Sequence, residues 1–165
     1  MRRIALGVAV LLVAGLAMSA DMAKSAKPTH PEGIYAPKDV AWGPGPPFLP
    51  AGVKFAVLAG DPGAAGEYTI RLSMPDGYKI PAHSHPTIEN VTVVSGEFHA
   101  GMGDKLDRAH ALTLPAGSFA SLPAKMNHYA WAKGKTVVQV HGTGPFAITY
   151  VNPADDPRNA KPKTK

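Results

Sequence analysis

Alternating apolar and polar residues dominate the middle of the chain and predict short β-strands. The clearest run is EYTIRLSM, Glu67 to Met74, in which every second residue from Tyr68 onward is apolar. Such alternation is typical of a strand with one buried face. A turn sequence, Asp61-Pro62-Gly63, separates this run from the apolar run Val53 to Gly60, so we expect the two runs to form a β-hairpin.

Further short apolar runs separated by Gly and Pro predict more strands: Ala82 to His85, Glu89 to Val94, Glu97 to Ala100, Ala111 to Leu114, Ser118 to Leu122, His128 to Trp131, Thr136 to His141 and Phe146 to Val151. No comparable helical pattern follows the first 20 residues. Many short strands with turns about every ten residues are typical of a sandwich or a small barrel. We therefore predict an all-β domain.

Four segments are expected along the 165 residues. Residues 1–20 place two arginines before an apolar run and small residues, which is the layout of a secretory signal peptide. Residues 21–52 are rich in Pro and Gly and predict an extended arm on a sheet edge. Residues 53–151 form the β-domain, and the polar residues 152–165 predict a disordered tail.

The signal peptide predicts a periplasmic or secreted protein without membrane association after cleavage. An uncleaved membrane anchor is the alternative, because the small-x-small site Ala17-Met18-Ser19 is imperfect. The export route stays open, since no bulky aromatic residue follows the arginine pair. The chain has no cysteine, which excludes disulfides and cysteine ligation of a metal.

The formal net charge of +5 comes from the ends of the chain. Between Pro28 and Pro157 there are 9 Lys or Arg residues against 11 Asp or Glu residues. Binding to nucleic acid requires basic charge clustered on the folded face. We therefore exclude nucleic acid as a partner.

Candidate metal ligands are concentrated in GYKIPAHSHPTIENVTVVSG, Gly77 to Gly96. His83 and His85 lie two residues apart, so their side chains point to the same face of a strand. Glu89 opens the next predicted strand, among apolar neighbours. Burying an ionised carboxylate there costs several kcal/mol unless a cation or a strong donor compensates. This cost favours a metal site.

Two sets of spaced residues resemble the two motifs of the cupins: Gly77-x5-His83-x-His85-x3-Glu89-x6-Gly96 and Gly117-x5-Pro123-x4-His128. The resemblance covers residues 53–151 and implies a small antiparallel jelly-roll barrel with a Pro-rich N-terminal arm. It also implies one divalent metal ion bound inside the barrel by four residues: His83, His85, Glu89 and His128.

The second motif departs from the cupin pattern at two positions. Lys125 stands where the family commonly has Gly, and Ala132 stands where it commonly has Asn. We expect the loop before His128 to have a different backbone shape. If a residue of this loop has a positive φ, we expect it to be Asn127.

Nitrogen and oxygen ligands suit manganese, iron, nickel, copper or zinc and do not select among them. Glu89 is also a candidate base if it moves off the metal. Arg71 interrupts an apolar strand and is a candidate substrate contact, with a solvent-facing position as the alternative. His141 shares strand parity with Gln139 and is a candidate hydrogen-bonding neighbour of the ligands, with a place at the end of a strand as the alternative.

The expected function is that of an exported metal-dependent enzyme of the oxygenase or lyase type, acting on a small oxygenated acid or phenol. The alternative is a non-catalytic periplasmic cupin that binds or senses a small molecule or a metal, because no dedicated general acid is evident beyond the ligands. A jelly-roll without metal is a third interpretation, which the spacing of His83, His85 and Glu89 disfavours. Besides a small molecule, we expect a second copy of the chain as partner, since cupins often dimerise through sheet edges.

Overall fold

The computed structural model describes residues 33–160, and within that range it contains nine β-strands and no α-helix. The strands are β1 Gly43–Pro44, β2 Lys54–Ala59, β3 Gly66–Met74, β4 Lys79–Ser84, β5 Glu89–Met102, β6 Leu112–Pro115, β7 Phe119–Leu122, β8 His128–Gly144 and β9 Thr149–Tyr150. Every strand pair is antiparallel. The all-β, antiparallel fold class predicted from the sequence is confirmed.

The predicted signal peptide, residues 1–20, and the first part of the predicted arm, residues 21–32, lie outside the described residues. Within residues 33–160, no helix has the length and hydropathy needed to cross a membrane.

Two long strands, β5 and β8, run through both walls of the barrel. The sequence predicted each of them as two separate strands. They pair with each other along almost their whole length, from Glu89↔Gly142 to Met102↔His128. The register shifts between Val93 and Glu97, where Gly96 has a φ of 81°. This irregularity lets one continuous strand bend from one wall into the other, because a bulge increases local bending and twist.

The remaining strands complete the two walls on either side of this central pair. In one wall, β2 pairs with β3, β3 pairs with the second half of β8, and β7 pairs with the start of β5. In the other wall, β9 pairs with β4, β4 pairs with the start of β8, and β6 pairs with the end of β5. The predicted hairpin is present as β2 and β3, with Phe55 opposite Leu72.

The hydrophobic core lies between the walls and is built from alternate residues of each strand. Ile70 and Met74 of β3 are completely buried, and Val138 and Val140 of β8 are 1% exposed. Each such side chain contributes about 1.5–3 kcal/mol through burial. Leu72 of β3 belongs to the same core, whereas the alternate residues Arg71 and Gln139 point away from it, as strand geometry requires.

The described part of the arm, residues 33–52, contacts the barrel in two places. Near its start, Tyr35, Val40 and Trp42 pack on Ala56 and Leu58, which point outward from β2. Further along, β1 pairs with β2, so the arm adds a short strand to the edge of that wall. Phe48 and Leu49 then join the main core.

The C-terminal segment differs from the disordered tail predicted from residue 152. Residues Pro153–Asp155 and Pro157–Asn159 form two 3-10 turns. The side chains of Asn152 and Asp156 accept hydrogen bonds from the backbone N–H groups of these turns. The Arg158 guanidinium pairs with Asp156 at 2.6 Å and also donates to the carbonyl of Ile148 at 3.2 Å. The bond to Ile148 joins the segment to the residues before β9, and residues 161–165 lie outside the described range.

Candidate metal centre

Three histidines and one glutamate meet inside the barrel, between its two walls. His83 lies near the end of β4, His85 follows that strand, and Glu89 and His128 are the first residues of β5 and β8. Their exposed fractions are 3%, 5%, 8% and 3% in the order His83, His85, Glu89 and His128. One ring nitrogen from each histidine lies within 4.8 Å of the corresponding nitrogens of the other two. The four predicted ligands are therefore brought to one place.

Backbone carbonyl groups orient the three imidazole rings. The Nδ1 atoms of His83 and His85 lie 2.7 Å from the carbonyl oxygens of Pro81 and Ala147. The Nδ1 atom of His128 lies 3.0 Å from the carbonyl oxygen of Met126. A carbonyl oxygen only accepts hydrogen bonds, so each Nδ1 carries the proton and donates it. In the neutral ring, the lone pair is then on Nε2.

Protonation of His83 is disfavoured by its surroundings. Burial, followed by the neighbouring His128 and His85, lowers the pKa of His83 to about 3. The ring is therefore neutral at physiological pH and presents a lone pair. A neutral imidazole fixed by a hydrogen bond at its other nitrogen is the form that binds a metal.

Glu89 places one oxygen between two of the rings. Its Oε2 atom lies 3.4 Å from Nε2 of His85 and 3.5 Å from Nε2 of His128. These distances are long for hydrogen bonds with good geometry. Two ligand atoms bound at about 2.1 Å to one ion are separated by about 3.0–3.4 Å, depending on its geometry. The spacing thus fits a shared metal ion better than a direct bond.

The charge of the centre also fits a cation. Among residues 33–160, the Nε2 atoms of His85 and His128 are buried without a hydrogen-bond partner. Burial alone raises the pKa of Glu89, but the adjacent His85 and His128 outweigh it and hold the pKa well below its usual range. Burial alone lowers the pKa of His85, but the carboxylate of Glu89 outweighs it and raises the pKa. A buried carboxylate facing nitrogen lone pairs is the donor set that a divalent ion satisfies.

The space beside these ligands is small and apolar. The cavity has a volume of about 30 Å³. Its described lining beyond the four ligands is entirely hydrophobic and includes Leu49, Val138, Val140 and Phe146. Phe146 stacks on His85 with ring centroids 5.3 Å apart. A cavity of this size holds one or two water molecules or a ligand of a few atoms.

Arg71 and His141 are not part of this site. The Arg71 Nε atom donates to Oε1 of Gln139, opposite it on β8, at 3.1 Å. His141 has Phe119 as its aromatic neighbour, with ring centroids 6.5 Å apart. The neighbouring residues Val138 and Val140 line the cavity, so the alternation of β8 directs Gln139 and His141 to the outer face. The structure therefore places Arg71 and His141 on the outer face, the alternative position considered for Arg71, and gives no support to a role of either residue in the cavity.

The loop before His128 has the altered shape that the sequence suggested, but at a different residue. Lys125 itself has a φ of 63°, and Asn127 is not among the residues with positive φ. The Lys125 N–H donates to the carbonyl oxygen of His85 at 2.8 Å. This bond joins the loops that carry two of the ligands and offers a reason for the strained conformation at Lys125.

Several residues that line the cavity were not identified from the sequence as part of the site, and Leu49 and Phe146 are two of them that lie outside the strands. Leu49 comes from the Pro-rich arm, and Phe146 follows β8. Neither lies in a motif with fixed spacing. The available signal was the apolar pair Phe48-Leu49 flanked by prolines, which is unusual in an exposed arm.

Comparisons with solved structures agree with this architecture. A proposed acetylacetone dioxygenase from Methylibium petroleiphilum PM1 has a TM-score of 0.57 at 22% identity, covering 75% of this chain and 84% of its own. An RmlC-like cupin from Ralstonia eutropha JMP134 has a TM-score of 0.56 at 22% identity, covering 73% of each chain. The polyketide cyclase RemF from Streptomyces resistomycificus has a TM-score of 0.53 at 16% identity, covering 64% of this chain and 75% of its own. These similarities concern the fold.

At the level of sequence, no curated protein matches the chain. The family model of the ChrR Cupin-like domain matches residues 30–147, which include all four candidate ligands and most of the strands. Together with the jelly-roll barrel, this match shows that the chain belongs to the cupin superfamily, in the family of the ChrR Cupin-like domain.

Proposed function

We propose that this chain is an exported cupin that holds one divalent metal ion and acts as an oxygenase on a small oxygenated compound. The observation that carries the proposal is the set of three carbonyl-oriented imidazoles around one buried carboxylate. Two of the imidazole nitrogens have no hydrogen-bond partner within residues 33–160. Leaving such atoms unsatisfied costs free energy, and a metal ion would satisfy them together.

The residues suit several metals. Three nitrogen ligands and one oxygen ligand are compatible with manganese, iron, nickel, copper or zinc. Four protein ligands leave one or two coordination positions for an ion that prefers five or six ligands. When bound there, such an ion would act as a Lewis acid that polarises an oxygen-containing ligand. The carboxylate of Glu89 would offset part of its charge, and the hydrophobic wall would exclude water.

The cavity lining favours an oxygenase over a lyase. A lyase requires a group that moves a proton to or from the substrate. In the described lining, the four ligands are the only polar residues, so Glu89 would have to leave the metal in order to act as a base. Burial raises the pKa of Tyr68, and the nearby carboxylate of Glu89 raises it further. Tyr68 nevertheless does not line the cavity. Oxygenase chemistry depends less on such side chains, because the metal supplies the reactivity.

The position of Arg71 narrows the proposed substrate class. A carboxylic acid would need a cationic partner in the apolar cavity, and Arg71 lies on the outer face of the barrel. A phenol, or another compact molecule that binds through oxygen, does not need that partner. We therefore favour a phenol over an acid.

The second candidate function is binding or sensing without catalysis. The supporting observation is the cavity volume of about 30 Å³, which leaves no room for an aromatic substrate in the described conformation. Membership of the family of the ChrR Cupin-like domain is compatible with either role. Export, periplasmic location and homodimer formation stay predictions from the sequence.

Metal analysis followed by oxygen consumption tests the proposal. The protein is purified from its native compartment, its metal content is determined by elemental analysis, and oxygen uptake is measured with a series of phenols. One redox-active metal per chain with phenol-dependent uptake supports the oxygenase. One zinc per chain without turnover supports the binding role. A protein that takes up none of the five metals contradicts both functions.

A further inference from the structure

A short segment of the arm, residues 45–50, connects the free edges of the two walls. We call it the bridging segment. It continues from β1, which pairs with the edge strand β2. At its far end it is held by two buried phenols. The Tyr150 hydroxyl, on the other edge strand β9, donates to the carbonyl of Phe48 at 2.8 Å, and the Tyr78 hydroxyl donates to the carbonyl of Pro50 at 2.6 Å.

The bridging segment forms part of the cavity wall. Leu49 is 4% exposed and lines the cavity beside the candidate ligands. Phe48 is 8% exposed and packs edge-on against Phe146, with ring centroids 5.7 Å apart. Phe146 in turn stacks on His85. The segment therefore borders the cavity through Leu49 and contacts the candidate ligand His85 through the ring of Phe146.

This part of the wall is held differently from the strands that form the rest. Strands are fixed by ladders of backbone hydrogen bonds, whereas the bridging segment makes few backbone hydrogen bonds. Within residues 33–160, its backbone N–H groups donate two bonds, from Gly45 to Val53 and from Leu49 to Pro46. Prolines at 46, 47 and 50 have no N–H to donate. A segment with few backbone bonds opens at a lower free-energy cost than a central strand.

We propose that Leu49 determines the size of the ligand that reaches the metal centre, with the bridging segment as the displaceable wall of the cavity. This inference rests on the proposed function, because it concerns access to the same site. With Leu49 in place, the cavity of about 30 Å³ admits ligands of two or three heavy atoms. An apolar cavity that binds a benzene ring measures about 150 Å³. An aromatic ligand therefore enters only when Leu49 moves or is made smaller.

Replacing Leu49 with smaller side chains tests this role in the full-length protein loaded with Co²⁺. Azide serves as the small probe and phenol as the large one, and binding is followed by the visible absorption of the cobalt. We expect Leu49→Ala to bind phenol at least about tenfold more tightly than the wild type, because the leucine side chain is replaced by space. Azide affinity should change by less than about threefold, since azide already fits. Leu49→Val should give an intermediate effect, and it decides the question if Leu49→Ala does not fold.

The matched control is Leu112→Ala, the same substitution at a leucine that is 69% exposed. It should leave both probes unaffected. Tyr78→Phe removes the bond to Pro50 without changing the cavity lining, so it should speed phenol association with little change in azide binding. Equal phenol affinities for Leu49→Ala, Leu49→Val and Leu112→Ala would overturn the proposal.

A measurement on metal-free protein separates this inference from the proposed function. Benzene near tenfold its dissociation constant should raise the melting temperature of Leu49→Ala by about 4 °C and leave that of the wild type unchanged. If Co²⁺ does not bind at all, the proposed function fails, and the benzene result still decides whether Leu49 limits the cavity. Equal benzene shifts for Leu49→Ala and Leu112→Ala would refute that role independently of any metal.

Discussion

Removing the metal should lower the thermal stability of the protein by a measurable amount. A ligand that binds only the folded state stabilises it by RT ln(1 + [M]/Kd), which is about 4 kcal/mol at a thousandfold excess over Kd. In a domain of this size, 1 kcal/mol corresponds to about 3 °C in melting temperature. Chelation should therefore lower the melting temperature by about 12 °C. The structural reason is that the Nε2 atoms of His85 and His128 have no hydrogen-bond partner within residues 33–160 and would lose the ion proposed to satisfy them.

Two substitutions show whether this stabilisation comes from the proposed ligands. His128→Ala removes a candidate ligand that is 3% exposed, and we expect metal affinity to fall by one or more orders of magnitude. Glu89→Gln keeps the side-chain volume and removes the negative charge, so affinity should fall there as well. Both variants should melt at almost the same temperature with and without chelator. The assay is differential scanning fluorimetry combined with elemental analysis of dialysed protein.

The control for these variants is His110→Ala. The His110 side chain is 84% exposed and pairs with Asp107 at 2.7 Å, away from the barrel interior. It should match the wild type in metal content and in its response to chelator. If the wild type, His128→Ala and Glu89→Gln all carry the same metal load and melt identically with and without chelator, these residues do not form a metal centre.

Three further outcomes are expected. Metal affinity should rise with pH through the pKa of His85 and then level off, because protons compete with the metal for His85 below that pKa. The carboxylate of Glu89 raises the pKa of His85, so the rise should extend to higher pH than for an ordinary histidine. Calorimetric titrations between about pH 5 and about pH 9 measure this dependence. Arg71→Ala and His141→Ala should keep the wild-type metal affinity by the same titration, since both side chains lie on the outer face; a tenfold loss would contradict that placement. Gly96→Ala should destabilise the fold more than Gly77→Ala in urea unfolding. Both glycines have positive φ, but a Cβ at Gly96 would lie 2.5 Å from the Lys135 carbonyl oxygen, whereas one at Gly77 would meet nothing within 4 Å. Equal losses of unfolding free energy in the two variants would show that backbone strain alone sets the destabilisation.

Three of the four candidate ligands, His83, His85 and Glu89, were predictable because their spacing is local. His83 and His85 share a strand face as a direct result of the two-residue repeat, and the turn at Pro86 brings Glu89 back toward them. His128 was included through resemblance to a family motif rather than through spacing alone. The orientation of the rings was not predictable, because the carbonyl of Ala147 that holds His85 lies 62 positions away in the sequence.

The sequence by itself determined the fold class, most strand positions and the choice of the four candidate ligands. These properties depend on side-chain alternation, turn residues and short-range spacing, and for His128 on a family motif, all of which can be read from the order of residues. The tertiary structure decided which face of each strand is inside. Alternation shows that Gln139 and His141 share a face, but only the closed barrel, in which Val138 and Val140 line the cavity, shows that this face is outside. The tertiary structure also decided that Leu49, which comes from an arm without a periodic pattern, lines the cavity. Its position depends on hydrogen bonds from Tyr78 and Tyr150, which are distant from it in the sequence.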